Sequence, residues 1–213
     1  MRFKMKKIVF VPIPMQELKS KEIYKVAGNK NLEYENGTFL PVNGVLMKIL
    51  RKDDDAKIVQ ILTEGKDNFA IKNAELQKAE LDELNKNIGA KIEYKEIVTP
   101  FEETEEIIFQ RFRELLDTLE EKAEIIFDMT FGPKTFVPVL FYVLGFAEKF
   151  FDANIKHILY SKIDFDKKTK QPSSGTGIIY DMTSLFYLNS LTSVMDAPNG
   201  KVALARLDKF FAL

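Results

Sequence analysis

The chain has 213 residues, 46% hydrophobic and 30% charged, with a formal net charge of −1. That is enough for one sizeable core, and it offers no basic field to hold duplex nucleic acid. Cysteine is absent and histidine occurs once, which excludes disulfides, thiolate catalysis and cysteine metal sites, and argues against a histidine-rich zinc site or a Ser-His-Asp triad.

The opening Met-Arg-Phe-Lys-Met-Lys-Lys runs directly into residues 7–13, a short apolar stretch that reads as a first strand, with no signal-peptide segment before it. Pro12 and Pro14 stiffen the turn that follows, and Gln16 offers both donor and acceptor groups. Residues 28–41 are polar and read as a loop or a small hairpin turning at Asn36-Gly37. Val42, Val45, Leu46 and Ile49 have helical spacing, and a strand over 57–62 ends at the turn Thr63-Glu64-Gly65. The spacing of Ala74, Leu76, Leu81 and Leu84 predicts a helix over 68–87, with Gly89 placed to end it. Residues 91–98 alternate as a strand. Residues 104–122 read as a charged amphipathic helix that buries Ile107, Ile108, Phe112, Leu115, Leu116 and Leu119.

Residues 125–140 are the most informative. A buried strand over 125–129 enters the turn Thr130-Phe131-Gly132-Pro133-Lys134-Thr135, which opens a strongly apolar helix. Proline is tolerated in the first helical turn, where the backbone N–H has no intrahelical partner, so Pro138 puts the helix start near Thr135. A glycine, two hydroxyls, one lysine and free amides are thereby gathered at a helix N-terminus beyond the carboxyl end of a strand. That arrangement suits an anion, most often a phosphate. It is not a Walker loop, and no strand leads into a G-x-G-x-x-G stretch, so dinucleotide binding is unsupported. Asp128 is read as tying the turn down through bonds to backbone amides.

A strand over 155–165 follows, with His157 in a structural role, then a loop over 167–177 and a short strand over 178–180. The basic Lys167-Lys168-Thr169-Lys170 reads as a solvated loop or as a flap over an anionic ligand. Asp181 or Thr183 is placed to cap the next helix. Helices are expected over 183–195 and 202–211. The most apolar segment, residues 136–146, is shorter than the ~18 residues of a membrane span. A cytoplasmic protein with no membrane partner is expected.

Strands alternating with helices imply an α/β protein: a Rossmann-like, doubly wound, mainly parallel sheet with a C-terminal β-hairpin and terminal helices. One domain is expected over 1–213, with its core in 6–182 and a helical segment in 183–213. Ligands of such sheets sit beyond the carboxyl ends of the strands at the switch point. The helix over 137–151 is apolar nearly all round, so something beyond one sheet must cover it. Another helix or another chain would do so; a symmetric dimer is favoured and would bring two copies of the turn together.

The motif Asp128-Met-Thr130-Phe-Gly132-Pro-Lys134 resembles the D-x-T-x-G-x-[KR] signature of the CRISPR-associated Rossmann-fold (CARF) domains, the sensors of type III CRISPR antiviral defence. The turn after the first strand, Thr63-Glu64-Gly65, the lysine-rich hairpin and the 180–183 segment add to the likeness, which spans nearly the whole chain. Phe131 stands where many members carry histidine or a second glycine. The resemblance implies a homodimer that binds a cyclic oligoadenylate, foremost cyclic tetra-adenylate, across its two-fold axis. Gly132, Pro133 and Thr135 would then approach the ligand through amides and hydroxyl, and Lys134 would supply charge. Thr130 and Phe131 would shape the pocket, with Pro14, Gln16, Thr63 and Glu64 on its flanks. No cofactor, metal or catalytic residue is implied for a sensor. Members usually continue into an effector; here the chain is either an excised or stand-alone sensor, or passes its output to a partner through the terminal helix. The alternative is a ring nuclease that cleaves the ligand without metal, a ribose 2′-hydroxyl attacking its own phosphodiester while Lys134 supplies charge. A third reading is an unrelated nucleotide or sugar-phosphate binder built on the same sheet.

Overall fold

A computed structural model describes residues 6–65, 68–164, 166, 173 and 175–211. It divides into two compact units, Met1–Met182 and Thr183–Leu213. The first unit contains, in chain order, β1 (Lys6–Pro12), β2 (Tyr24–Val26), α1 (Pro41–Ile49), β3 (Asp55–Thr63), α2 (Ala70–Asn85), β4 (Lys91–Thr99), α3 (Glu105–Leu116), β5 (Glu124–Asp128), α4 (Phe136–Phe151), β6 (Asn154–Lys162) and β7 (Gly177–Asp181). The second contains two helices, α5 (Thr183–Val194) and α6 (Gly200–Phe211).

The sheet runs β2-β7-β6-β5-β1-β3-β4. Five strands, β4, β3, β1, β5 and β6, are parallel; β7 returns antiparallel to β6, and β2 lies parallel to β7 at the edge. Strand β1 is central, with Phe10 opposite Val59 on one side and Phe127 on the other. Parallel strands are buried on both faces, which is why β1 and β5 read as continuous apolar runs. Ile8, Val9, Phe10, Val11, Ile125, Ile126 and Phe127 are all essentially inaccessible. Each such side chain contributes about 1.5–3 kcal/mol of burial.

Successive strand residues face opposite ways, and the two sets meet different helices. Val9, Val11, Ile58, Ile126 and Leu159 share one core cluster with Val42, Val45 and Leu46 of α1 and Ala70, Ala74 and Leu81 of α2. On the other side α4 packs against α3 and β6 and buries Phe136, Val139, Leu140, Val143, Leu144 and Ala147. The doubly wound parallel architecture expected from the sequence is therefore present, including the antiparallel β6–β7 return.

Local expectations hold in part. Of the two readings of residues 28–41 the loop is present and the hairpin at Asn36-Gly37 is not: the segment is bent and includes a short 3-10 helix, Lys30–Leu32, with an isolated antiparallel bridge between Glu22 and Thr38. The helix expected over 104–122 stops at Leu116, where the Thr118 hydroxyl donates to the Leu115 carbonyl and Lys122 takes a left-handed φ of 58°. The 167–170 stretch and Phe165 lie outside the described residues. No helix among the described residues is long and apolar enough to cross a membrane.

Candidate functional site

Among the parallel strands β3 and β4 lie on one side of β1 and β5 and β6 on the other, so the topological switch point lies between β1 and β5. The carboxyl ends there are Pro12 and Asp128. The turn joining β5 to α4 is built around the aspartate. Asp128 Oδ1 accepts the Thr130 amide at 3.0 Å and also the Thr130 hydroxyl. Thr130 Oγ1 in turn accepts the Ser161 amide at 2.9 Å, which ties the turn to β6. The Met129 amide completes the attachment at the Leu159 carbonyl, 2.8 Å away.

Gly132 then takes φ +98° and lies against the end of β1; a β-carbon there would stand 3.2 Å from the Pro12 Cβ. A left-handed φ combined with backbone this close to a rigid ring admits glycine and little else. The Phe136 amide turns back to the Pro133 carbonyl at 3.0 Å, and α4 begins at Phe136 with Pro138 in its first turn. Thr135 stands at the N-cap position with helical angles, and its side chain makes no capping bond. Its hydroxyl instead donates to Glu103 Oε1 at 2.5 Å, in the loop between β4 and α3. That loop is held from below by Arg111, whose guanidinium donates to the carbonyls of Pro100 and Glu102. Gly132 and Lys134 are exposed, and Thr130, Phe131, Pro133 and Thr135 are half-buried. Among the described residues Lys134 carries no ion pair.

The other predicted residues lie beyond neighbouring strands. Pro14 is buried and Gln16 exposed, and both carbonyls accept Nδ2 of Asn73 on α2, at 2.7 and 2.8 Å. Asn73 therefore fixes the path of the turn after β1. Thr63 is buried at the end of β3, where its carbonyl accepts Asn68 Nδ2 at 2.9 Å, and Glu64 beyond it is exposed. The Gly132–Pro12 approach brings the β5 turn onto β1; Thr63 and Glu64 sit one strand farther out.

Three residues that sequence reasoning passed over belong to the same region. The Ser161 amide donates to the Thr130 hydroxyl oxygen, Glu103 accepts from Thr135, and the half-buried Tyr24 of β2 has its phenol pushed up to about 12, first by burial and then by Glu22 and Asp128. None carries a local motif. His157 holds Asp181 through Nδ1 at 2.7 Å, so Asp181 serves this pair. Asp128 itself is fully buried, and burial pushes its carboxyl up to about 6, against the Thr130 bonds that pull it down.

An open cleft of about 290 Å³ lies at the opposite, amino end of the sheet, lined by Lys6, Lys7, Lys57, Lys91, Asp55, Glu93 and Glu120, among others. Its lysines are largely spent on carboxylates: Lys6 and Lys57 both reach Glu120, and Lys7 pairs with Asp54 and Glu124. Parallel sheets present ligands at their carboxyl ends, and the free lysine and glycine turn are there, so the switch point is the stronger site. No cluster of three or more histidine, aspartate or glutamate side chains among the described residues could hold a metal ion. No protein-family model matches this chain, and no curated protein matches its sequence.

Proposed function

We propose that the protein is a sensor that binds a cyclic oligoadenylate, most favourably cyclic tetra-adenylate, in a cradle made by the β5–α4 turns of two copies. The observation that carries this reading is the turn at the switch point. Gly132, at φ +98° against Pro12, opens the backbone of a helix N-terminus beside the exposed Lys134. Such a terminus attracts a phosphate through oriented amides and the helix dipole, and the lysine adds a full charge. A ring with four phosphates and two-fold symmetry matches two such turns around one axis.

Support for the second copy comes from the α3–α4 side. Tyr142 is 73% exposed and Phe150 57% exposed on α4, and Phe109 is 62% exposed on α3. Large apolar side chains grouped on neighbouring helices mark an interaction surface. On this reading the protein acts in the cytoplasm in type III CRISPR antiviral defence, and its output leaves through the terminal helix to an effector domain or partner.

Calorimetry of the full chain against rings of three, four and six adenylates tests the proposal. Saturable binding of one ring per two chains, with the four-membered ring preferred, is the expected result. Indifference to all three rings sinks the reading. Linear products carrying a 2′,3′-cyclic phosphate, formed in EDTA, would replace the sensor with a ring nuclease.

A further inference from the structure

Asp128 is an unusual carboxylate. It is 1% exposed, and only one of its oxygens is bonded: Oδ1 serves Thr130, whereas Oδ2 has no hydrogen-bond partner among the described residues. The Ser161 hydroxyl, on the residue whose amide bonds Thr130, is also buried without a partner among the described residues. Among the described residues no cation pairs with Asp128. An ionised carboxylate without a counter-charge is costly in a dry interior, so burial moves the balance toward the neutral acid.

The titratable groups on neighbouring elements do not relieve this. Tyr24 of β2, with Glu22 before it, is a neutral phenol beside a carboxylate. The β5–β6–β7 register sets Asp128 opposite Leu159 and Leu159 opposite Asp181, and Asp181 is already engaged by His157. The first turns of α1, Pro41 to Leu46, contain no ionisable side chain. Lys134 lies farther along the turn and is solvent-exposed.

We infer that Asp128 is a proton switch beneath the candidate cradle: an anion held by the Gly132–Thr135 turn drives a proton from solvent onto the Asp128 carboxyl, so ligand binding and proton uptake are coupled. The inference rests on the reading of the turn as an anion site. The proton is carried by Oδ2, because Oδ1 is already occupied as an acceptor. No other bond forms or breaks. With the proton in place Oδ1 still accepts from Thr130, so the turn keeps its attachment to β6 while the repulsion between carboxylate and ligand disappears. Burial that already holds the free group near 6 puts the switch within reach of physiological pH. A unit charge roughly 12 Å away at an effective dielectric near 20 moves a proton equilibrium by about one pH unit. Reciprocity then requires that acid strengthen ligand binding.

The first experiment needs no ligand. The carboxyl carbon of Asp128 is followed by NMR as pH is varied in the full chain. A midpoint near 6 is expected, and a midpoint below about 4.5, in the ordinary carboxylate range, overturns the inference. Calorimetry with cyclic tetra-adenylate in two buffers of different ionisation enthalpy then reads proton uptake directly. Affinity about fivefold higher near pH 5.5 than near pH 7.5 is expected for a one-unit shift. Both effects should vanish in Asp128→Asn, which keeps the Oδ1 acceptor. Binding of the same strength across that range, without proton uptake, overturns the coupling and leaves the cradle standing. Absence of binding at every pH overturns both.

Discussion

Gly132 and Pro12 are packed so closely that one additional methyl on the glycine would lie 3.2 Å from the proline Cβ. This contact links the end of the central strand to the turn that starts α4, and it closes the switch point from the side. Neither partner can yield easily, since the proline ring is rigid and the glycine φ of +98° is closed to most side chains.

Gly132→Ala should accordingly destabilise the fold by about 1–3 kcal/mol, combining left-handed strain with the steric contact. For a chain of this size that corresponds to a melting-temperature drop of roughly 2–10 °C. Thermal denaturation followed by circular dichroism measures it. An unchanged midpoint would mean that the turn does not press on Pro12 in solution.

Lys134→Ala probes the charge alone. The side chain is exposed, so the stability change should stay within about 0.5 kcal/mol. Affinity for cyclic tetra-adenylate should fall about tenfold or more at low salt, with a smaller loss as added salt screens the charge. Calorimetry at two ionic strengths distinguishes this from general damage. Wild-type affinity in the variant would remove Lys134 from the site.

Asp128 makes stability depend on pH in a direction opposite to most carboxylates. Its folded value, about 6, lies above the ordinary 3.8, so between the two the folded state holds more protons than the unfolded chain. The stability it contributes is full below the lower value and is lost as pH rises through the upper one. A shift of about two units corresponds to roughly 3 kcal/mol. Asp128→Asn removes this dependence, so its stability relative to wild type should rise between about pH 4 and pH 7. Glu17 and Glu120, whose lysine partners hold them low, titrate alike in both proteins and cancel in the difference. Urea denaturation at several pH values reads the slope; parallel curves for the two proteins would contradict a buried, neutral-leaning carboxyl.

Tyr142→Glu addresses the proposed pairing. Tyr142 is 73% exposed, so a charge there should leave the single chain folded and place a repelled, poorly solvated group at the interface of two copies. Light scattering should report one chain for the variant and two for the wild type. A wild-type monomer at tens of micromolar would move the cradle to a single chain.

The central architecture was legible because its signals are local and redundant. Runs such as Ile8 to Val11 and Ile125 to Phe127 announce strands buried on both faces, and Pro138 marks where α4 can begin. The β5–α4 turn was legible for the same reason: Asp128, Thr130 and Gly132 lie within five residues and shape the turn through neighbouring backbone. Strand β2 was not. Tyr24-Lys25-Val26 is too short to show a period, and it pairs with residues 177–179, far along the chain. The fate of Thr135 was equally hidden, because its hydroxyl turns to Glu103, which a different loop delivers.

By itself, then, the order of residues determined the alternation of strands and helices, the place where α4 starts, and the clustering of glycine, lysine and hydroxyls at its head, since each depends on backbone conformation over a few neighbours. Tertiary structure alone decided that Asp128 is sealed from water with one oxygen unpaired among the described residues, that Ser161 bonds Thr130 above it, that its charge is felt by Tyr24, and that Gly132 bears on Pro12. Those facts arise from segments far apart in the chain meeting at one sheet end. Solvent exclusion and Coulomb energy depend on that three-dimensional neighbourhood and on no local pattern of side chains.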